Sequence, residues 1–289
     1  MDTAKNNPQV WFITGASKGF GLEMVSQLLQ QGHQVAATSR DVAELRRAAD
    51  MDSADFLPLA VDLTTESSVG AAIAATIARF GRLDVVVNNA GYGQLGSLEE
   101  LTDGEARANF DVNVFGTLHV IRQAMPQLRQ QRAGHIMNFS SAAGISGNFP
   151  GWGIYCATKF AVEGLSESLS AEVAPFGIKV TIVEPGYFRT DFLSADSLRL
   201  AENQLDEYAL VRESQAAHTQ QIKGNQPGDP RKAVAAVIEV AAAENPPLHL
   251  VLGQDSYDVA TMKIKAMQAD MAQWKDLTVS TGFAEPATA

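Results

Sequence analysis

The sequence predicts a doubly wound α/β domain on a parallel sheet of about seven strands, and three observations carry that prediction. Short apolar runs alternate with longer helical patterns from residue 10 onward. The runs lack the polar alternation of a half-exposed strand. No repeat or low-complexity linker interrupts the 289 residues, so one domain is expected over 1–289. Strands covered on both faces read as unbroken apolar runs, and strand–helix alternation implies parallel pairing through right-handed crossovers.

Taken in order, strands are expected at 10–14, 33–38, 56–61, 83–88, 135–140, 178–183 and 248–252. Between them, helical patterns cover 21–31, 66–79, 105–129 and 155–174, and a shorter helix over 41–49 starts at Asp41, a residue type suited to cap it. Two regions break the rhythm. From Phe188 to about residue 229 runs an insertion whose mixture of Leu193, Leu198, Leu200, Tyr208 and Val211 with polar residues suggests short helices over a cleft. A C-terminal extension, about 256–289, is expected as one amphipathic helix over 258–274 and a loose tail from Phe283. On that helix Met267 and Met271 lie four apart and read as packing residues.

Composition excludes several function classes. The chain is 46% hydrophobic and 19% charged, with 22 Lys and Arg against 33 Asp and Glu for a net charge of -11. Such an acidic chain without a basic patch repels phosphate backbones, so no nucleic-acid partner is expected. No uninterrupted apolar stretch is long enough to span a bilayer, and the polar N-terminus lacks the pattern of a signal peptide. A cytoplasmic chain is expected. Cys156, the single cysteine, reads as a small apolar filler on its helix. His33, His119, His135, His218 and His249 are scattered without metal-ligand spacing, so no metal is expected and each reads as a surface or packing residue.

The first strand runs directly into Thr14-Gly15-Ala16-Ser17-Lys18-Gly19-Phe20-Gly21, which opens the first helix. Free N–H groups and the positive helix end there suit a pyrophosphate, and Gly15, Gly19 and Gly21 allow a tight turn, close approach and helix–sheet contact. About twenty residues on, an acidic side chain would hold a ribose 2′-hydroxyl and an arginine a 2′-phosphate. Ser39 stands at that place, Arg40 follows it, and Lys18 adds a second cation, so NADP(H) is favoured over NAD(H). Tyr155 and Lys159 share one helical face at four-residue spacing, where an ammonium is expected to depress the phenol's pKa. Ser141 follows the fifth strand, at the sheet edge where open α/β domains bind ligands, with Ser140 as second choice.

These features occur together with Asp62-Leu63, Asn88-Asn89-Ala90-Gly91, Asn113, Pro185-Gly186 and Thr190, in an order and spacing that resemble the short-chain dehydrogenase/reductase family over the first two thirds of the chain. The gap from Ser141 to Tyr155 is one residue longer than in many relatives. The part after Thr190 resembles bacterial relatives of the hydroxysteroid and retinol dehydrogenase branch. The resemblance implies a Rossmann-like fold and hydride transfer between a nicotinamide and a carbonyl or alcohol carbon of a small molecule. It implies Tyr155 as general acid or base, Lys159 on the nicotinamide ribose, Ser141 on the carbonyl oxygen and Asn113 anchoring a proton-relaying water. Asp62 would meet the adenine, Asn89 the adenosine side of the cleft, and Thr190 the nicotinamide carboxamide. Ser17, Phe20, Leu63, Ala90, Gly91, Pro185, Gly186 and Phe188 would line the same cofactor path. The long helices at 105–129 and 155–174 resemble those that pair between subunits, which implies a homodimer or homotetramer. Two other readings compete: a dinucleotide sensor without turnover, which need not keep Asn113, Ser141, Tyr155 and Lys159 together, and sugar-nucleotide epimerisation or dehydration, whose glycine loop is spaced differently.

Overall fold

The computed structural model describes residues 8–283. Its centre is a sheet of seven parallel strands in the order β3-β2-β1-β4-β6-β7-β9. The strands are β1 (Val10–Ile13), β2 (Gln34–Ser39), β3 (Phe56–Ala60), β4 (Val85–Asn88), β6 (Gly134–Phe139), β7 (Ile178–Pro185) and β9 (His249–Leu252). The helices that cover it are α1 (Gly19–Gln30), α2 (Val42–Ala49), α3 (Glu66–Phe80), α4 (Asp103–Phe110), α5 (Gly116–Gln131), α6 (Ala142–Ile145), α7 (Gly153–Val173), α8 (Ala209–Ala216), α9 (Pro230–Ala242), α10 (Gln254–Gln273) and α11 (Lys275–Val279).

Alternation along each strand sorts the core into two layers. Trp11, Ile13, Val85 and Val87 face α1 and α9, where Met24, Val25, Leu28, Val234 and Val237 are fully or almost fully buried. Phe12, Val86 and Ile136 face the other way, onto Val69, Val120, Ile121, Leu128 and Leu169 of α3, α5 and α7. A buried polar chain crosses this second layer. Asn88 on β4 donates to Asn138 on β6 (2.8 Å), and Asn138 donates to Ser166 on α7 (2.7 Å). Buried amides are costly unless paired, so this chain fixes how α7 sits on the sheet.

The strand order reverses between β1 and β4, and the loops leaving both strands open a crevice at the carboxyl edge of the sheet. Asp41 caps α2 as expected, accepting from Ala43 N (2.8 Å) and Glu44 N (3.1 Å). The expected helix 105–129 is interrupted by a π turn, Asp111–Phe115, that places Asn113 inward.

Three features depart from the sequence reading. A second, two-stranded parallel sheet pairs β5 (Gly93–Leu95) with β8 (Leu198–Leu200), joining the loop after β4 to the insertion. Each strand has three residues, too few for a periodic signal, and the partners lie about 100 residues apart. The insertion therefore holds a strand beside its helical pieces, which are Asp191–Leu193, α8 and a π turn at Ala217–Ile222. Second, α10 buries Ser256 and half-buries several residues up to Lys263, but is exposed throughout from Ile264 on, so Met267 and Met271 are solvent-facing and not packed. Its first turns pack on α6 and β9, and among the described residues no layer covers the rest. Third, the strand and helix ends shift by one to four residues, as end-fraying allows. The expected tail lies outside the described residues except for Phe283.

Candidate active site

The glycine loop wraps the start of α1 in the conformation that its residues predict. Gly15 and Gly19 have φ of 66° and 57°, the left-handed region that costs glycine nothing. A Cβ on Gly15 would lie 2.8 Å from Ala90 Cα, and one on Gly21 would meet the Gly15 carbonyl and lie 2.8 Å from Asn89 Nδ2. Backbone therefore approaches backbone too closely for a side chain at either position, and the loop and the start of α1 line the crevice, a cradle that fits a pyrophosphate. Lys18 stands at the N-cap, 3.9 Å from Asp196 of the insertion.

Two residues hold this loop against the strand beside it. Asn89 donates both amide protons, to Thr14 O (3.0 Å) and Gly15 O (2.9 Å). Thr14 Oγ1 accepts from Asn89 N and Ala90 N (both 3.1 Å). Asn89 lines the crevice, as the resemblance implies, but its amide protons are committed to the loop. Thr14 escaped the sequence reading as a site residue; its hydroxyl at the last position of the first strand was the available signal.

The crevice has a volume of about 780 Å³ and runs without a break from Arg40 and Asp62 past the glycine loop to Tyr155 and Lys159. Gly15, Ser17, Lys18, Gly19, Phe20, Ser39, Arg40, Asp62, Leu63, Asn89, Ala90, Gly91, Ser141, Tyr155, Lys159, Pro185, Gly186, Phe188 and Thr190 all line it. Gly21 and Asn113 stand behind its wall. At the outer end, Ser39 Oγ accepts from Asp41 N (3.3 Å), and the Asp62 carboxylate accepts from Thr64 N (2.9 Å) and Thr64 Oγ1 (2.7 Å). Those bonds hold Asp62 below the usual carboxylate range. Across the crevice Phe20 lies between Phe139 and Phe188, with ring centroids 5.7 and 5.3 Å away.

At the inner end Ser141 caps α6, its hydroxyl accepting from Ala143 N (3.2 Å), and lies beside the Tyr155 phenol. Lys159 is buried; its ammonium donates to Phe139 O (2.8 Å) and sits 5.7 Å from the centre of the Tyr155 ring. The expected depression of the Tyr155 pKa is not found. Burial pushes the phenol above its ordinary value, with the Ser141 hydroxyl opposing it. The same burial lowers Lys159 to about 8, opposed by Glu163 one turn further along α7. Helical spacing brought the pair together, yet it carried no information about how dry their surroundings are.

Asn113 donates to Tyr92 O (3.0 Å) and Thr158 Oγ1 (3.1 Å) and accepts from Tyr92 N (3.0 Å). Its amide thus ties the loop after β4 to α7, and its backbone carbonyl accepts from Thr117 Oγ1 (3.0 Å). Ser140, the second-choice serine, donates its N–H to Val183 O (2.8 Å), and its buried hydroxyl lies next to Glu163 across Gly144. Cys156 is buried, and burial pushes its thiol up to about 11, which suits an inert filler.

Beyond Tyr155 the crevice becomes an apolar chamber walled by Phe149, Trp152, Phe192 and Leu193. Trp152 and Phe192 contact the Tyr155 ring, with centroids 5.5 and 5.7 Å apart. One polar pair closes the far wall. His218 Nδ1 donates to Ser214 O (2.7 Å), which leaves Nε2 to accept from the Tyr187 hydroxyl (2.8 Å). Burial lowers the His218 pKa and keeps this ring neutral. Sequence reading assigned His218 no part in a site, because Tyr187 and His218 meet only through the folded insertion. His249 also gains neighbours in space, Glu163 and Glu184.

Comparison with known proteins agrees with this architecture. A family model described as short chain dehydrogenase matches residues 9–200. A 3-ketodihydrosphingosine reductase from Bacteroides thetaiotaomicron is 39% identical over 248 residues, 85% of this chain and 88% of that protein. A solved short-chain dehydrogenase from Streptomyces avermitilis shares the fold with a TM-score of 0.87 and 37% identity, over 96% of this chain and 100% of that one. Two further solved structures carry nicotinamide cofactors. A 3-ketoacyl-(acyl-carrier-protein) reductase from Brucella melitensis, complexed with NADH, is 26% identical with a TM-score of 0.69, over 84% of this chain and 96% of its own. ElxO with NADP bound is 27% identical with a TM-score of 0.69, over 85% and 96%. Agreement of sequence over two thirds of the chain, and of fold over nearly all of it, has one consequence: this chain belongs to the short-chain dehydrogenase/reductase family of oxidoreductases.

Proposed function

We propose that the protein is an NADP(H)-dependent reductase or dehydrogenase that acts on a ketone, an aldehyde or a secondary alcohol with an apolar body. The observation that carries this reading is the convergence of Ser141, Tyr155 and Lys159 at the inner end of the crevice that begins at the glycine loop. A bound nicotinamide supplies the hydride in reduction and accepts it in oxidation. The chain's own groups handle the oxygen. Ser141 donates to the carbonyl oxygen and orients it towards Tyr155. Burial keeps Tyr155 a phenol at neutral pH, the protonated form that reduction needs, and the phenol gives its proton to the oxygen as negative charge develops there. The Lys159 ammonium then stabilises the phenolate, and it also reaches the ribose side of the crevice. Asn113 is a positioning residue: it fixes Tyr92 and Thr158 around Lys159, and a water-anchoring role would rest on its backbone carbonyl.

Three features of the chain extend this proposal. Arg40 and Lys18, with Ser39 in place of an acid, favour the 2′-phosphate of NADP(H). The aromatic chamber favours an apolar substrate, as the similarity to a ketodihydrosphingosine reductase also suggests. A cytoplasmic homodimer or homotetramer is in keeping with the fold; among the described residues no helix is long and apolar enough to cross a membrane.

The test is kinetic. With a panel of ketones and aldehydes and nicotinamide absorbance as the signal, Tyr155→Phe should lower turnover by roughly 10²–10⁴-fold while NADPH affinity stays unchanged. Lys159→Ala should lower both together. Near wild-type turnover in Tyr155→Phe would show that another acid protonates the oxygen.

A further inference from the structure

Behind the active-site wall lies a second group of side chains, none of which lines the crevice. Glu163 on α7, Glu184 on β7 and His249 at the start of β9 place one ligand-type atom each within 4.8 Å of one another. The sheet creates the juxtaposition. Ile182 pairs with His249 in the β7–β9 ladder, so Glu184, two residues on, shares that face, and α7 lays Glu163 across it. His249 Nδ1 is 3.1 Å from Glu184 Oε1 and 3.8 Å from Glu163 Oε2.

We propose that Glu163, Glu184 and His249 form a binding site for a divalent transition-metal cation of the zinc type. The ligand set is one imidazole and two carboxylates, a mixture that suits zinc and its neighbours better than magnesium or calcium. Ligands held about 2.0–2.2 Å from a tetrahedral ion lie roughly 3.5 Å apart, and both His249 distances fall near that spacing. A second observation points the same way. Glu163 and Glu184 are more than nine-tenths buried; Glu184 Oε1 accepts from His249 Nδ1 (3.1 Å), Glu184 Oε2 has no hydrogen-bond partner, and Glu163 Oε1 lies beside the Ser140 hydroxyl. Two carboxylates cannot both stay charged in such a place without a cation or a proton between them.

The surroundings fit a metal better than a shared proton alone. His249 is half-exposed, so the site borders solvent on the imidazole side. Glu167 Oε1 stands 3.9 Å from Nε2, the other ring nitrogen. A shift of about 0.7 Å on metal binding would bring this carboxylate into hydrogen-bond range, where it would accept from Nε2 and fix the tautomer of a ligating imidazole. The ion would link α7, one turn beyond Lys159, to the last two strands of the sheet, bracing the helix that carries Tyr155. It touches neither the crevice nor the reacting atoms.

The experiment uses the untagged full chain, stripped with a chelator and titrated with Zn²⁺ against a chromophoric competitor. Co²⁺ absorption in the visible range reports ligand geometry. One zinc per chain is expected, with cobalt bands of tetrahedral or five-coordinate intensity. His249→Ala and Glu184→Gln should each weaken binding by at least about 100-fold, and Glu167→Gln by about 10-fold, since orienting partners are typically worth 10–100-fold. Circular dichroism checks folding; if Glu184→Gln fails to fold, the surface variant His249→Ala decides alone. A stripped wild-type chain that cannot compete for zinc overturns the proposal and leaves a shared proton as the cation's substitute. Undiminished affinity in folded His249→Ala overturns it too.

Discussion

Arg40 stands at the outer end of the crevice, and its neighbour Asp41 lines the same end, with one carboxylate oxygen committed to capping α2. Removing the guanidinium should therefore act on one cofactor selectively. Arg40→Ala is expected to weaken NADPH by about 1.5–3 kcal/mol, the worth of a charge-assisted hydrogen bond, or roughly 10–150-fold, and to leave NADH nearly unchanged. Fluorescence titration with both cofactors measures this, and equal losses would remove the basis for NADP(H) preference. A different residue contributes to the loss of stability at low pH. His135 is buried on β6, and burial, aided by the Lys179 ammonium, lowers it to about 4. Its unfolded value is near 6.5, so between those values the unfolded chain binds the extra proton. The contribution of His135 is thus fully present above pH ~6.5 and is lost as pH falls towards ~4, on the order of 3 kcal/mol at most. Urea unfolding at pH 7 and pH 4.5 should show the loss, and His135→Gln should flatten it.

At the scale of elements, the junction of β1 and α1 carries the cofactor site, and its tolerance is set by backbone contacts. Gly21 belongs to the first turn of α1, where a methyl group would press on the Gly15 carbonyl and on the Asn89 amide that holds the loop. Neither neighbour is a flexible side-chain end that can swing aside. Gly21→Ala should destabilise the fold by about 1–3 kcal/mol, the usual cost of overpacking, and weaken either cofactor more than 10-fold by opening the loop. Thermal unfolding and the same fluorescence titration read the two effects separately. Binding at wild-type strength would mean that the cradle is not formed by this turn. The π turn at Asp111–Phe115 matters in a similar way, since it turns Asn113 inward to join the loop after β4 to α7.

For the whole molecule, the distribution of exposed apolar side chains bears on assembly. Phe115, where the π turn enters α5, is 48% exposed, and Phe160 on α7 is 42% exposed. Large apolar groups on the outer faces of two long helices are costly in water and suit a symmetric interface. Light scattering at micromolar concentration should give a particle of two or four chains, and Phe160→Glu should shift it towards one. A particle of one chain in the unaltered protein would refute the assembly.

What was legible in the sequence shares a physical origin: it was encoded within about twenty residues. Apolar runs without alternation marked the buried strands, the glycine spacing marked a turn that only glycine can make, and four-residue spacing put Tyr155 and Lys159 on one helical face. Asp41 announced its cap because capping is a bond to the next few residues. The tertiary structure decided everything that depends on convergence from distant segments. Pairing of β5 with β8, the meeting of Tyr187 with His218, and the gathering of Glu163, Glu184 and His249 have no local pattern. Their partners are set by sheet register and by how the insertion folds back. The electrostatics were decided there too. A neighbouring ammonium suggested an acidic phenol, but desolvation in the folded chamber outweighs it and holds Tyr155 protonated. Burial belongs to the packed molecule, and no spacing along the chain reports it.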